Sequence, residues 1–402
     1  MEKENIKLIK KNYFFLIEAL LVGIPFITSL YAIRQYGSNI YADIALISTV
    51  TSQLMFIARF TNIKSMEVLV KKFTKIKAIK MTLILNLIFA TIISLIFIGV
   101  ALYLKGVYSY LVIMIPIFYL TAFQFLRFFA LGTEEGNKTS RLFIVALIIA
   151  NLLRVYFAYK QYPIEIFLTT FIVECVIWAI FMIKKAIEEG ILKKCEINKE
   201  EWKAMIKIVY PQQIILGLKR ILEITIILNI YILLSAEILI SYVMARRILG
   251  ANVTVMYAID NLIFSIYRKM SDINHAKVLL VTQIGLAIGI LMVVELIIVP
   301  IIGDRYKHIM AITCVLLPIA FIYIITMGIQ KKFIREEKQF FLLKSTTIAM
   351  ILIYPLCFFI ESVWQLIALL YMYEIIEISI SKYLNAKNLK NQVHSQPSQD
   401  KN

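Results

Sequence analysis

The sequence predicts an all-α polytopic membrane protein with about 12 transmembrane helices, and three observations carry that reading. Hydrophobic residues make up 60% of the 402 residues and the mean hydropathy is +0.81, too apolar for a water-soluble globule. The apolar residues fall into runs of roughly twenty, the length an α-helix needs to cross a hydrocarbon core about 30 Å thick. Lys and Arg alternate between successive connections. The segment Arg34–Tyr41 is poor in them, Lys64–Lys80 carries six lysines, and the next connection has only Lys105. Basic loops stay on the cytoplasmic face, so both termini are expected inside.

In chain order the expected spans are 12–33, 41–63, 81–104, 107–131, 141–159, 163–183, 208–234, 238–266, 278–302, 309–330, 341–360 and 363–384. The first follows MEKENIKLIKK and is too long for a removable signal peptide. It also lacks a small-residue cleavage site, so it reads as a retained helix. The longest polar connector is 184–207, KKAIEEGILKKCEINKEEWKAMIK, which separates a lobe over 1–183 from a lobe over 208–384. It reads as a solvated connector between the two lobes, in preference to the alternative that its GluTrpLysAlaMet segment forms a short amphipathic surface helix leading into the seventh span. The polar tail 385–402 reads as disordered. With six spans per lobe, any internal repeat runs parallel about the membrane normal; QYGSNIYADIALIST and SAEILISYVMARRI echo each other weakly in that register. Pro211, Pro300, Pro318 and Pro355 mark kinks or span ends. Gly285 and Gly289 form a GxxxG pair of the kind that lets helices approach closely.

Composition also excludes functions. The net charge of +17 flanks membrane spans, where anionic lipid headgroups are the natural partner rather than nucleic acid. The four cysteines (Cys175, Cys195, Cys314, Cys357) and three histidines (His275, His308, His394) form no metal-binding spacing, so no metal and no cofactor are expected. The expected outer connections are too short to hold an acceptor glycan, and no His/Asp/Ser cluster points to catalysis. A transporter is expected rather than an enzyme.

Charges inside the membrane are the most informative feature, because each costs about 2.5–3.5 kcal/mol on insertion scales unless it meets a partner or a wet cavity. Lys219, Arg220 and Glu223 lie near the middle of the seventh span, where helical spacing brings them onto one sector. Pairing of Lys219 with Glu223, four residues on, leaves Arg220 without a local partner. Arg246 and Arg247 follow in the eighth span, with Asp260 deeper. Glu18, Arg59, Arg127, Arg154, Glu174, Glu295, Glu374 and Glu377 complete the set. Arg59, Arg127 and Arg154 lie near span ends, where snorkelling to the interface accounts for them. Lys219, Arg220, Arg246 and Arg247 instead predict a cationic cavity suited to a phosphate or diphosphate. Glu18, Glu174, Glu223 and Glu374 are expected as ion-pair partners or as carboxylates that couple transport to an ion gradient.

Three stretches carry a family resemblance. NYFFLIEALLVGIPFITSLYAIRQYGSNIYADIALIST resembles the first two spans of bacterial Wzx-type polysaccharide flippases, in the multidrug/oligosaccharidyl-lipid/polysaccharide exporter superfamily (MOP, which includes the MATE transporters). GLKRILEITIILNIYILLSAEILISYVMARRI is similar to that family's seventh-to-eighth span region, with a Tyr–x–x–Ala–x–Arg-like pattern at Tyr242, Ala245 and Arg247. VPIIGDRYKHIMAITCVLLPIAF resembles its ninth-to-tenth junction. The chain departs from the pattern with Gly–Ser–Asn–Ile–Tyr where many members have a more acidic turn, and with Glu223 where an aspartate is common. The resemblance implies two six-helix lobes in the bacterial inner membrane that turn over an undecaprenyl-diphosphate-linked oligosaccharide for O antigen, capsule or a related glycan. It also implies membrane lipids, a polysaccharide polymerase and a chain-length regulator as partners. Lys219, Arg220, Arg246 and Arg247, with Arg59 and Arg127, would contact the substrate, while Glu223 and Glu18 tune them or couple to an ion. The rival readings are a multidrug or cation extruder of the same superfamily and a membrane polymerase or acyltransferase.

Overall fold

The computed structural model describes residues 23–59, 69–70, 72–124, 134–188, 190–191, 195–266, 272–303, 306, 308–335 and 339–395. Within these, the backbone alone is described at 134–142, 257–258, 260–266, 272–276, 324, 327–335, 385 and 387–395. All regular structure among the described residues is helical. This is the expectation for a chain whose backbone polar groups must be satisfied without water.

The helices are α1 (Gly23–Ala58), α2 (Lys75–Leu104), α3 (Gly106–Thr121), α4 (Glu134–Tyr159) and α5 (Ile164–Glu188) in the first half. The second half has α6 (Lys199–Leu233), α7 (Ala236–Ile266), α8 (Asp272–Val293), α9 (His308–Arg335), α10 (Gln339–Ile353) and α11 (Val363–Ser395). Among the described residues, seven candidate spans are long and apolar enough to cross a membrane. Helix α6 is not among them, because Lys219, Arg220 and Glu223 interrupt its apolar run. The protein is a multi-pass membrane protein, and its helices follow the order of the expected spans.

Local chemistry explains the element ends. The first two expected spans meet inside α1 at one non-helical residue, Gly37, whose φ of 77° suits glycine. The hydroxyl of Tyr36 beside it donates to the carbonyl of Tyr162 at 2.7 Å, tying this turn to the α4–α5 turn. Helix α6 opens on a capping box, in which Asn198 accepts from the Glu201 amide and Glu201 accepts from the Asn198 amide. Past Val293 the chain widens into a π-helical turn, Val294–Ile298, before Val299–Ile302, which carries Pro300. Beyond α10, Pro355 sits in the first turn of a 3₁₀ stretch, Tyr354–Phe359. Pro211 and Pro318 lie inside helices.

Two expectations need correction here. The backbone of α11 is helical through Ser395, into the region expected to be disordered from 385. No Gly or Pro breaks that segment before Pro397, so a helix anchored upstream propagates into it. The GluTrpLysAlaMet segment is not a separate amphipathic helix but the opening of α6. Helix α5 meanwhile continues to Glu188, which leaves only 189–198 as the connector.

Packing is divided by depth rather than by half. One large apolar core runs through both halves, and most of its members lie in the middle or toward the outer ends of their helices. Ile33, Tyr41 and Ile44 of α1, Phe97 of α2, Ile226 and Ile230 of α6, Tyr242 of α7, Ile309 of α9 and Leu366 of α11 belong to it. At the basic, inner ends the clusters are separate. Leu69, Met81, Trp178 and Met205 form one, Ile215 with Leu342 another, and Met256 with Leu279 a third. Helix α6 joins the two bodies. Met205 and Val209 pack with α2 and α5, and the Gln213 amide donates to the Ile57 carbonyl at 2.8 Å. Two residues further on, past the buried Pro211, Ile215 packs against Leu342 of α10. Among the described residues the apolar packing is continuous toward the outer ends and falls into separate clusters toward the inner ends.

Candidate functional site

A cavity of about 1280 Å³ lies between the halves. Its outer end is walled by Tyr41 of α1 and Tyr242 of α7. Phe143 of α4, Leu216 of α6, Thr254 of α7 and Gly285 of α8 extend its lining toward the inner ends. Gly285 and Gly289 therefore do not bring helices together as the GxxxG spacing predicts. A Cβ at either would meet nothing within 4 Å, and both line the cavity. The missing side chains widen a wall. Helix α8 otherwise carries exposed apolar side chains, among them Val281 and Ile288.

The intramembrane charges converge on this cavity in three groups. The first is a guanidinium cluster. Both Arg220 (3.1 Å) and Arg246 bind the Glu223 carboxylate, from its own helix and from α7 respectively. Arg220 also donates to Gln53 Oε1 of α1 at 2.8 Å and lies 4.3 Å from the centre of the Phe56 ring. Arg246 donates to the Tyr323 hydroxyl of α9 at 3.2 Å. The next residue of α7, Arg247, donates to the hydroxyls of Ser29 and Tyr41 of α1, and among the described residues no carboxylate pairs with it. Three guanidiniums thus stand beside one carboxylate, which two of them bind.

The second group has the opposite balance. Lys219 Nζ lies 2.5 Å from Glu377 and 3.5 Å from Glu374, both on α11. Thr346 of α10 donates to Glu377 at 2.6 Å, and the Thr326 hydroxyl of α9 lies 3.3 Å from Glu374. The Lys219–Glu223 pair expected from spacing does not form. The side chain turns instead to α11, and the shorter i, i+3 link from Arg220 takes Glu223.

The third group lies in the first half and is balanced. Arg154 is buried and binds Glu174 at 2.8 Å, Thr170 at 3.2 Å and Asn151 at 3.3 Å, with its guanidinium 4.0 Å from the Phe171 ring centre. This corrects the snorkelling expectation. The residue is near a span end in sequence, but a carboxylate and a ring on α5 hold it inside.

The remaining expected site residues do not join these groups. Arg59 follows the end of α1 with its guanidinium 5.6 Å from the Phe56 ring centre, outside the cavity lining. Glu295 is exposed on the π-helical turn. Glu18 and Arg127 lie outside the described residues, as does the side chain of Asp260. Sequence reasoning missed Ser29, Tyr41, Gln53, Tyr323 and Tyr373. The available signal was a polar or phenolic group in an otherwise apolar run. Among the described residues no group of His, Cys, Asp and Glu is placed to hold a metal ion.

The fold is shared by known structures. The chain superposes on a multidrug resistance MATE family transporter of the MOP superfamily in an inward-facing conformation, with a TM-score of 0.65. Identity is 9%, over 94% of this chain and 96% of that one. It also matches the eukaryotic MATE transporter AtDTX14 with a TM-score of 0.57 and 9% identity, over 95% and 96% of the two chains. No family model and no curated protein matches the sequence. The fold is therefore MATE-like.

Proposed function

We propose that this protein is a flippase of the MOP superfamily in the bacterial inner membrane. It would move an undecaprenyl-diphosphate-linked oligosaccharide from the inner to the outer leaflet for O-antigen, capsule or related polysaccharide synthesis. The observation that carries this reading is the excess of guanidinium over carboxylate at Arg220, Arg246 and Arg247. Together with Glu223 the cluster has a formal charge of +2, and Arg247 has only hydroxyl partners among the described residues. A diphosphate diester carries two negative charges, and guanidinium meets phosphate oxygens with paired donors. Tyr41, Tyr242 and Tyr323 line the same space and offer rings and hydroxyls to sugars. Alternate closure of the outer and inner faces would then present the cavity to each leaflet in turn.

A second reading, export of cationic drugs, draws on the multidrug transporter with the shared fold and on Glu174 and Glu374 in the cavity lining. Glu174 is paired with Arg154, and Glu374 shares Lys219 with Glu377, so neither carboxylate stands free for a cationic substrate. Binding to purified protein in nanodiscs separates the two. The lipid-linked glycan should bind, and Arg247→Ala should weaken it at least about tenfold, the equivalent of one charge-assisted hydrogen bond of about 1.5–3 kcal/mol. Saturable binding of a cationic dye, with none of the lipid diphosphate, would establish the rival.

A further inference from the structure

We propose that Tyr323, Tyr373 and the Lys219–Glu374 pair form a subsite for the sugar bonded directly to the diphosphate, and that this sugar is uncharged. This deepens the flippase reading and rests on it.

Unused hydrogen-bonding capacity marks the subsite. Tyr373 of α11 is 2% exposed and lines the cavity, yet its hydroxyl has no hydrogen-bond partner. A buried hydroxyl left unpaired carries a desolvation cost that a ligand oxygen would remove. The Tyr323 hydroxyl of α9 accepts from Arg246, and among the described residues nothing accepts its own proton. Lys219, whose Nζ lies 5.5 Å from the centre of the Tyr373 ring, has three ammonium protons for its two carboxylates. The Glu374 carboxylate meets Lys219 and Thr326 and keeps lone pairs to spare. Donors and acceptors side by side are what a ring of vicinal hydroxyls requires, since each hydroxyl both donates and accepts.

Connectivity puts this subsite next to the diphosphate position. Arg246 binds both Glu223 and the Tyr323 hydroxyl, so Tyr323 borders the guanidinium cluster. Tyr373 and Glu374 are its neighbours on the α11 side. The first sugar of a lipid-linked glycan hangs from the diphosphate by a single oxygen, and so has to lie beside the cluster. Charge then selects its kind. The two negative charges of the diphosphate match the +2 of the cluster and leave nothing there to offset a third. Lys219, Glu374 and Glu377 together carry one excess negative charge, and the hydroxyls that bind the carboxylates, Thr326 and Thr346, are neutral. A uronic acid would bring its carboxylate against that excess. A hexose or N-acetylhexosamine presents only hydroxyl and amide groups.

The test compares farnesyl diphosphate diesters binding to the full-length protein in nanodiscs. The second ester group is methyl, a neutral sugar (glucosyl, galactosyl or N-acetylglucosaminyl) or a uronic acid (glucuronosyl or galacturonosyl). At least one neutral glycosyl diester should bind about three- to tenfold more tightly than the methyl diester, the worth of one neutral hydrogen bond. Tyr373→Phe removes only an unpaired hydroxyl, so the fold should be kept. It should abolish that gain and leave binding of the methyl diester unchanged. The uronosyl diesters should bind no more tightly than the methyl diester, and Glu374→Gln, which leaves Lys219 paired with Glu377, should relieve that penalty. Equal binding of the methyl and all neutral glycosyl diesters, a gain that survives Tyr373→Phe, or an equal loss for both kinds in that variant would overturn the subsite alone. Uronosyl binding as tight as that of the neutral sugars would overturn the uncharged assignment. Failure of the unaltered protein to bind any of the diesters would overturn the flippase reading and this inference together.

Discussion

The outer and inner ends of this molecule are built from the same apolar residue types but packed differently. At the outer end, side chains from both halves interlock in one core that includes Ile33, Ile226, Tyr242 and Leu366. A polar latch reinforces it, the Tyr231 hydroxyl donating to Asp43 at 2.8 Å. At the inner end, Met81 with Trp178, Ile215 with Leu342, and Met256 with Leu279 remain in separate clusters. A lipid-soluble surface gains nothing from hydrophobic association in hydrocarbon, so helices there are held by close packing and polar links. The end with the continuous packing and the latch is the closed one. The cavity charges sit where the two regimes meet.

Site-directed labelling gives the largest expected contrast between the ends. In a background without native cysteines, Thr254→Cys lies in the inner part of the cavity lining, and Ile309→Cys replaces a fully buried member of the outer core. A membrane-impermeant thiol reagent should label position 254 from the inner side only, and position 309 from neither side. Efficient labelling of position 309 from outside would show that the outer core is not the closed end.

The order of helices was legible in the sequence because each span needs its own apolar run and each connection carries its own charge. The outer turn at Gly37 falls within the expected 34–40 gap. What intramembrane charges do with one another was legible only within a helix. Arg220 and Glu223 meet as their spacing of three predicts, but Lys219 takes partners 155 and 158 residues away on α11. Spacing along one helix cannot state which neighbour faces it. Arg154 shows the same limit, since nearness to a span end sets depth but not direction. Gly285 and Gly289 show it for size: a gap in a helix surface serves close packing or a cavity wall, depending on what lies opposite.

The latch offers a smaller effect on the same comparison. Tyr231→Phe removes one hydrogen bond to a carboxylate while leaving the ring in place. Such bonds contribute about 1.5–3 kcal/mol when buried, and this partly buried one falls toward the low end. The closed outer face should loosen, raising labelling from outside at cavity positions by roughly tenfold, since 1.4 kcal/mol is a factor of ten. Unchanged outside labelling would assign the closure to apolar packing alone.

The smallest effect is expected at the inner end, where Lys77 at the start of α2 binds Glu201 at the start of α6 across 2.6 Å. The pair fastens the first turns of α6 to the first half, outside the membrane-spanning segments. The Lys77 hydrogen bond, with the Asn198 amide, holds the Glu201 carboxyl below its usual range, and the same contact raises the Lys77 ammonium above its own. The stabilisation is therefore complete above the ordinary carboxylate pKa and fades as pH falls through the lowered Glu201 value. On the alkaline side it fades as pH rises through the raised Lys77 value. Ion pairs in contact with water contribute little. Glu201→Gln, which keeps a capping amide oxygen, should lower the thermal midpoint only slightly near neutral pH, and the difference should vanish under acid conditions. A large shift at neutral pH would mean that this contact holds the inner ends together and that the inner face is less freely divided than its separate clusters indicate.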